Sequence, residues 1–314
     1  MAMPARVIIV SGFLGAGKTT LITQLLKGAL SQTKTVLIEN DFGEASVDAS
    51  LLKNSGFTVR ELLSGCICCS LSGDFALALE EVVLEYHPEV VLIEPSGVGR
   101  LSDILKACAA PRLRPHICVA GKITVVDARR CQTYRDNFGS FFEDQIGFAD
   151  ALVLSRWEES SRRCQEALGL LKGLNPHAPI YTGSWEAIAW DSLLGLSEPL
   201  ASSGLGPRRY RIRVPDKTKE PAPAAHTFFH TVTLYLEKAF GPEEWERKAS
   251  ELEKEFYGQV LRAKGIVPSP GGFLNLQYVP GEVELTPCPP QSGFICIIGR
   301  DLCIQELEKL FNGD

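Results

Sequence analysis

The chain has 314 residues, 45% hydrophobic and 22% charged, with a formal net charge of −6 and an isoelectric point near 5.5; this excludes a disordered chain and leaves length for two domains. The acidic balance argues against nucleic acid as a partner, since nucleic-acid binders carry a basic footprint, and no run of about 18 apolar residues marks a membrane helix. With ten cysteines best explained as thiols, and no signal peptide in MAMPARVIIVSGF, a cytoplasmic protein is expected.

Residues 7–10 are an apolar run of strand length, and Lys18, Thr19 and Thr20 open an apolar-periodic helix. Between them, Gly12-x-x-x-x-Gly17-Lys18-Thr19 fits the phosphate-binding loop, with Gly15 and Ala16 inside it, in the strand-to-helix context the pattern requires. Glycines let the backbone wrap a polyphosphate with its N–H groups inward, and the helix N-terminus favours an anion. In such a loop the lysine reaches the terminal phosphates and the Thr19 hydroxyl ligates magnesium. A glycine-rich turn without a ligand is the alternative. The stretch predicts a nucleoside triphosphate bound by Gly12, Gly15, Ala16, Gly17, Lys18, Thr19 and Thr20.

Residues 35–39 are a second apolar run, and Asn40, Asp41, Phe42, Gly43 and Glu44 follow it. An acidic loop beside a phosphate loop is where a nucleotide-sensing switch would lie; a solvated turn is the other reading. Next, Gly65 and Ser70 flank Cys66, Cys68 and Cys69. Thiolates are soft ligands suited to zinc, cobalt(II) or copper(I). Closed structural zinc sites draw their ligands from two separated pairs, so a single CxCC cluster predicts an open or shared metal site, as a carrier needs. A buried thiol cluster and a redox pair are the alternatives.

Residues 73–86 have helical periodicity, Pro88 stops them, and 89–94 read as a third buried strand. It runs into Glu94-Pro95-Ser96-Gly97, which fits a second metal-and-phosphate loop. There Glu94 would hold magnesium and the Gly97 N–H would sense the terminal phosphate, unless Glu94 merely caps the strand. A helix at 101–110 and strands at 122–127, 151–154 and 178–182 complete the pattern. Ser155, Arg156, Trp157 and Glu158 stand where a GTPase carries Asn/Thr-Lys-x-Asp for base recognition, with the same order of charges and different residues. Trp157 would stack on a base or fill a surface notch. Strands alternating with helices predict a mostly parallel sheet covered on both faces, with nucleotide at the strands' carboxyl ends.

Residues 200–225 are rich in Pro, Ser and Gly and read as a linker holding at most an edge strand. Strands at 226–236, 259–267, 273–279 and 293–299, with helices at 242–257 and 301–311, predict a second α+β domain. Arg262 and Lys264 are expected as surface charges, with a phosphate or partner contact as the alternative, and His226 and His230 as structural residues, with a second metal site as the alternative. The fold class is therefore α/β: a P-loop NTPase domain over 1–199, a linker over 200–225, and a smaller C-terminal α+β domain over 226–314.

GFLGAGKTT, ENDFGEASVDASLL, LLSGCICCSL, LIEPSGVG, ITVVDA and LRAKGIV…FICIIGRDL, in this order, resemble the CobW family of P-loop GTPases, relatives of the metal-enzyme maturation proteins UreG and HypB. The resemblance covers nearly the whole chain, and GCICC is its most specific piece. It implies a GTP-hydrolysing metallochaperone that binds zinc or cobalt(II) at Cys66, Cys68 and Cys69. Metal binding would be coupled to magnesium–GTP, and the metal handed to a client metalloprotein. Residues 40–43 correspond to the family's first switch, usually Asn-Glu-Phe-Gly, so Asp41 is a shortened carboxylate here. Lys18, Asp41, Glu44, Glu94 and Gly97 are then the catalytic residues, Thr19 and Glu94 the magnesium ligands, and Ser155, Arg156 and Glu158 the base contacts. A nucleotide- or metal-dependent homodimer is a further expectation. The chain departs from the family in its Ser-Arg-Trp-Glu element and in having five histidines with no run among them. An ATP-using P-loop enzyme with structural cysteines and a metal- or redox-sensing switch remain as alternatives.

Overall fold

The first unit is built around β1 (Ala5–Gly12), which lies between β4 (Val90–Glu94) and β5 (Ile117–Asp127). With β2 (Thr35–Glu39), β3 (Thr58–Glu61), β6 (Ala151–Ser155) and β7 (Ile180–Tyr181) these form a seven-stranded sheet in the order β3-β2-β4-β1-β5-β6-β7. Every pairing in it is parallel. The computed structural model describes residues 3–39, 58–61, 72–194, 229–290 and 292–313, which divide into two units.

A parallel sheet covered on both faces needs strands that are apolar on both sides, and successive side chains of a strand point to opposite faces. Val7 and Ile9 accordingly join Ile38, Val91 and Ile93 beneath Leu79 of α2 (Ser72–Tyr86) and Ile104 of α3 (Leu101–Cys108). Ile8 and Val10 meet Leu21, Ile22 and Leu25 of α1 (Lys18–Lys27) on the other face. Three further helices follow: α4 (Cys131–Gly147), α5 (Arg162–Leu174) and the short α6 (Trp190–Leu193). Helix α4 is broken at Gly139, where φ is 30° and ψ −103°.

The second unit is a five-stranded antiparallel sheet in the order β11-β10-β9-β12-β8. Its strands are β8 (His230–Tyr235), β9 (Gln259–Ser269), β10 (Gly272–Val279), β11 (Glu282–Cys288) and β12 (Phe294–Arg300). Helices α7 (Pro242–Glu251) and α8 (Ile304–Asn312) bring Trp245, Ala249, Leu307 and Phe311 into one cluster with Leu234, Ala263, Ile295 and Ile297 of the sheet. The Trp245 ring lies 6.3 Å from that of Phe311, and its Nε1 donates to the Pro268 carbonyl at 2.8 Å.

The structure corrects several expectations. The strand expected over 122–127 begins at Ile117, as β5. Val7 pairs with Val119 but Ile8 with Gly121, so Ala120 is the extra residue of a bulge that interrupts the apolar run. The sheets have one strand more each than expected, β3 and β11, and both are outermost. β11 alternates exposed Glu282 and Glu284 with half-buried Val283 and Leu285 and carries Pro287, features that mask an outer strand. The helix expected over 242–257 ends at Glu251, and a 3-10 turn spans Glu255–Tyr257. Lys264 is not a surface charge: it is 1% exposed, on the middle strand of the second sheet. Arg262 is half-buried and donates to Gln277 Oε1 at 3.2 Å. His230 is exposed, whereas His226 and the linker 200–225 lie outside the described residues. Among the described residues no helix is long and apolar enough to cross a membrane.

Trp245→Ala removes a fully buried ring and one of two donors to the Pro268 carbonyl, which keeps the Phe240 N–H at 3.2 Å. It should lower stability by about 3–5 kcal/mol, read as an earlier midpoint in a urea melt of the full chain.

Candidate functional site

The loop between β1 and α1 is shaped by glycines at positive φ: Gly12 at 145°, Gly15 at 70° and Gly17 at 103°. A Cβ on Gly12 would also collide with the Val125 carbonyl oxygen of β5. The sequence therefore needs glycine there for both conformation and space. Gly17 is the N-cap of α1 and has no side chain with which to satisfy the first-turn N–H groups, which leaves them oriented for an anion.

Lys18 and Thr19 begin α1, and both reach toward Glu94 at the carboxyl end of β4. Lys18 is 5% exposed; its Nζ donates to the Phe13 carbonyl at 3.4 Å and lies 3.9 Å from Glu94 Oε1. The Thr19 hydroxyl donates to the same carboxylate oxygen at 3.5 Å. A hydroxyl and a carboxylate converging beside an ammonium are a hard-oxygen pair that fits magnesium next to polyphosphate. Gly97 follows on the loop after β4. A Cβ there would lie 2.6 Å from Leu14 Cδ2 and 2.8 Å from the Leu14 nitrogen, so this loop packs its backbone directly on the phosphate loop. Glu39 ends β2 in register with Glu94 and is buried.

Arg156 follows β6 with a φ of 50°. Its Nη1 donates to the Gly15 carbonyl at 2.9 Å and to Asp127 Oδ2 at 3.0 Å. Asp127 ends β5 with no exposure; its Oδ1 accepts from the Arg129 N–H at 3.0 Å, and Arg130 Nε lies 3.9 Å from Oδ2. Glu158 is not in this cluster. Its exposed carboxylate lies 3.5 Å from Arg129 Nη2. Ala16, Gly17, Thr20, Ser155, Arg156 and Trp157 line a cleft of about 540 Å³, closed by residues 182–185. There the Trp185 ring lies so near the loop that a Cβ on Gly17 would come within 3.3 Å of it, and its Nε1 donates to the Leu154 carbonyl at 2.8 Å.

Tyr134, in contact with the phosphate loop, and Asp127, joined to it through Arg156, are not among the residues expected in the site. The Tyr134 hydroxyl donates to the Leu14 carbonyl at 3.2 Å, with its ring 4.6 Å from that of Phe13, and burial holds its phenol above the ordinary range. Asp127 had a signal, a carboxylate ending an apolar strand, the same one that marked Glu94.

Asp41, Glu44 and the cysteines Cys66, Cys68 and Cys69 lie outside the described residues. Among the described residues no group of three or more His, Cys, Asp and Glu is arranged to hold a metal. The described cysteines are free thiols, and burial pushes the Cys108 and Cys131 thiols up to about 12.

Two family models match the chain: the CobW/HypB/UreG nucleotide-binding domain over residues 6–182 and the cobalamin synthesis protein cobW C-terminal domain over residues 229–313. The chain is 31% identical over 163 residues to the zinc chaperone YeiR of Escherichia coli (strain K12), covering 52% of this chain and 50% of that protein. It is 25% identical over 304 residues to the zinc-regulated GTPase metalloprotein activator 1 of Dictyostelium discoideum, covering 82% of this chain and 62% of that protein. The chain thus spans about half the length of YeiR. Among solved structures, Zn(II)-bound YjiA GTPase from E. coli aligns at 22% identity with a TM-score of 0.44 and 98% of each chain covered.

Arg156→Met keeps the apolar stem but frees the Gly15 carbonyl and one oxygen of buried Asp127. With Arg130 still near Asp127, stability should fall by about 1–3 kcal/mol. Titration with nucleotide should show weaker binding alongside the earlier denaturant midpoint.

Proposed function

This chain belongs to the CobW/HypB/UreG family, and from that membership we propose that it is a GTP-hydrolysing metallochaperone for a divalent transition metal. The observation that carries the proposal is the convergence of Lys18, Thr19 and Glu94 at the carboxyl end of the sheet, with Gly97 packed on Leu14. Lys18 would bind the terminal phosphates, the Gly12–Gly17 backbone would cradle them, and the Gly97 N–H would meet the terminal one. Magnesium, held by Thr19 and Glu94, would neutralise charge on the phosphate oxygens. Asp41 and Glu44, which follow β2 in the sequence, complete the catalytic set in this reading.

The cargo is zinc or cobalt(II), taken by the thiolates of Cys66, Cys68 and Cys69. Zinc is supported by the names of the relatives, two of which are a zinc chaperone and a zinc-regulated GTPase metalloprotein activator. The recipient is a client metalloprotein in the cytoplasm, where thiols stay reduced, and a nucleotide- or metal-dependent homodimer would be one way to share an open thiolate site. GTP closes the loops around residues 40–44 and 94–97 and tightens the cysteine site; hydrolysis loosens it. Linkage then requires metal to tighten GTP binding by the same factor. A second reading, ATP as the nucleotide, is favoured by the position of Glu158, which pairs with Arg129 and is absent from the lining of the Trp157–Trp185 cleft.

Lys18→Ala should lower the turnover of GTP by about 10²–10³-fold, and faster hydrolysis of ATP than of GTP by the unaltered chain would select the second reading. Zinc affinity, measured by competition with a chromophoric chelator, should rise when a non-hydrolysable GTP analogue is present and fall at least about 10-fold in Cys68→Ser. Equal zinc affinities with and without the analogue would overturn the coupling.

A further inference from the structure

Gly97 presents a physical problem. Only glycine fits against Leu14, yet glycine is the residue with the widest backbone freedom, and a loop that meets a phosphate must present one geometry. Its neighbour on α4 supplies the constraint. Gln145 is 1% exposed, and its Nε2 donates to the Gly97 carbonyl at 3.1 Å and to the Gly99 carbonyl at 2.8 Å. Those carbonyls flank the turn that the Gly99 N–H closes on the Ser96 carbonyl at 2.9 Å. The backbone of Gln145 is itself fixed, since its carbonyl accepts from the Thr124 hydroxyl of β5 at 2.7 Å. Gly97 therefore cannot turn without breaking a buried hydrogen bond, and a buried amide left without partners is costly.

The rest of α4 is fastened to the same two loops. Beyond Gly139, Asp144 Oδ1 accepts from the Ser102 N–H at 3.0 Å, and the Arg100 guanidinium lies 4.4 Å over the Phe141 ring. Before Gly139, Tyr134 and Phe138 hold Leu14 and Phe13 of the phosphate loop. A Cβ on Gly139 would meet nothing within 4 Å, so that glycine serves the backbone break alone.

We propose that Gln145 is a positioning residue for phosphate discrimination: by holding the Gly97 and Gly99 carbonyls it sets the loop that distinguishes a nucleoside triphosphate from a diphosphate. The proposal rests on the nucleotide reading above. It assigns Gln145 no contact with substrate; its action passes through Gly97. Met and Glu match glutamine in length, but Met donates to neither carbonyl and a buried, protonated Glu to only one.

The test uses the full chain with Gln145→Met and Gln145→Glu, and compares the affinities for GDP and for a non-hydrolysable GTP analogue with kcat and KM for GTP. Both variants should keep GDP affinity within about twofold of the unaltered chain. Affinity for the analogue and kcat should each fall by about 10-fold, equivalent to about 1.4 kcal/mol. Wild-type values throughout would overturn the proposal. So would an equal loss of GDP and analogue affinity, or failure of both variants to bind GDP, since either result marks a merely structural residue. Absence of GTP turnover in the unaltered chain would instead overturn the GTPase reading, and the comparison of GDP with the analogue would still decide the role of Gln145.

Discussion

A carboxylate taken wholly out of water needs cations and N–H groups around it, and Asp127 obtains them from two loops at once. Arg130 and the Arg129 N–H come from the turn that follows its own strand, and Arg156 comes from the end of the next one. Because the same Arg156 nitrogen also donates to Gly15, satisfying Asp127 fixes the curvature of the phosphate loop from behind. The left-handed backbone of Arg156 is a strain that these charge-assisted bonds offset. Phosphate loop, β5 and β6 are thus bound by one ion pair anchored on buried Asp127.

The parallel sheet determines what that ion pair can reach. In a parallel arrangement all carboxyl ends lie on one edge, and the loops leaving them crowd together. Glu39, Glu94 and Asp127 all end strands there, next to the loop after β1. Close packing turns the crowding into contact: glycine at 12 and at 97 lets backbone approach backbone, against Val125 in one case and Leu14 in the other. Helix α4 then buttresses the loops from one side with aromatic rings and a phenol.

The parts legible in the sequence are those fixed by local rules. Positive φ demands glycine, so the loop at 12–17 is visible without any tertiary information; buried parallel strands are continuous apolar runs, so β1, β2 and β4 are visible too. Glu94 is visible because a carboxylate at a strand end is anomalous in an apolar run. What is hidden depends on distant neighbours. Arg156 and Gly15 are separated by 141 positions, and no spacing rule shows that the arginine clasps the loop while Glu158 turns to Arg129. Lys264 looks like a surface charge in the sequence, and only the folded sheet shows it buried. Gln145 sits in a helix whose polar residues and central glycine give it no clean apolar period, so its amide has no local signature.

The outer strand of the second sheet has a consequence for handling the protein. Strand β11 alternates glutamates with half-buried aliphatics and is interrupted by Pro287. Like charges side by side and a missing N–H make a poor template for a strand from another molecule. During synthesis or refolding, when this sheet stands before its surroundings have formed, that side resists self-association.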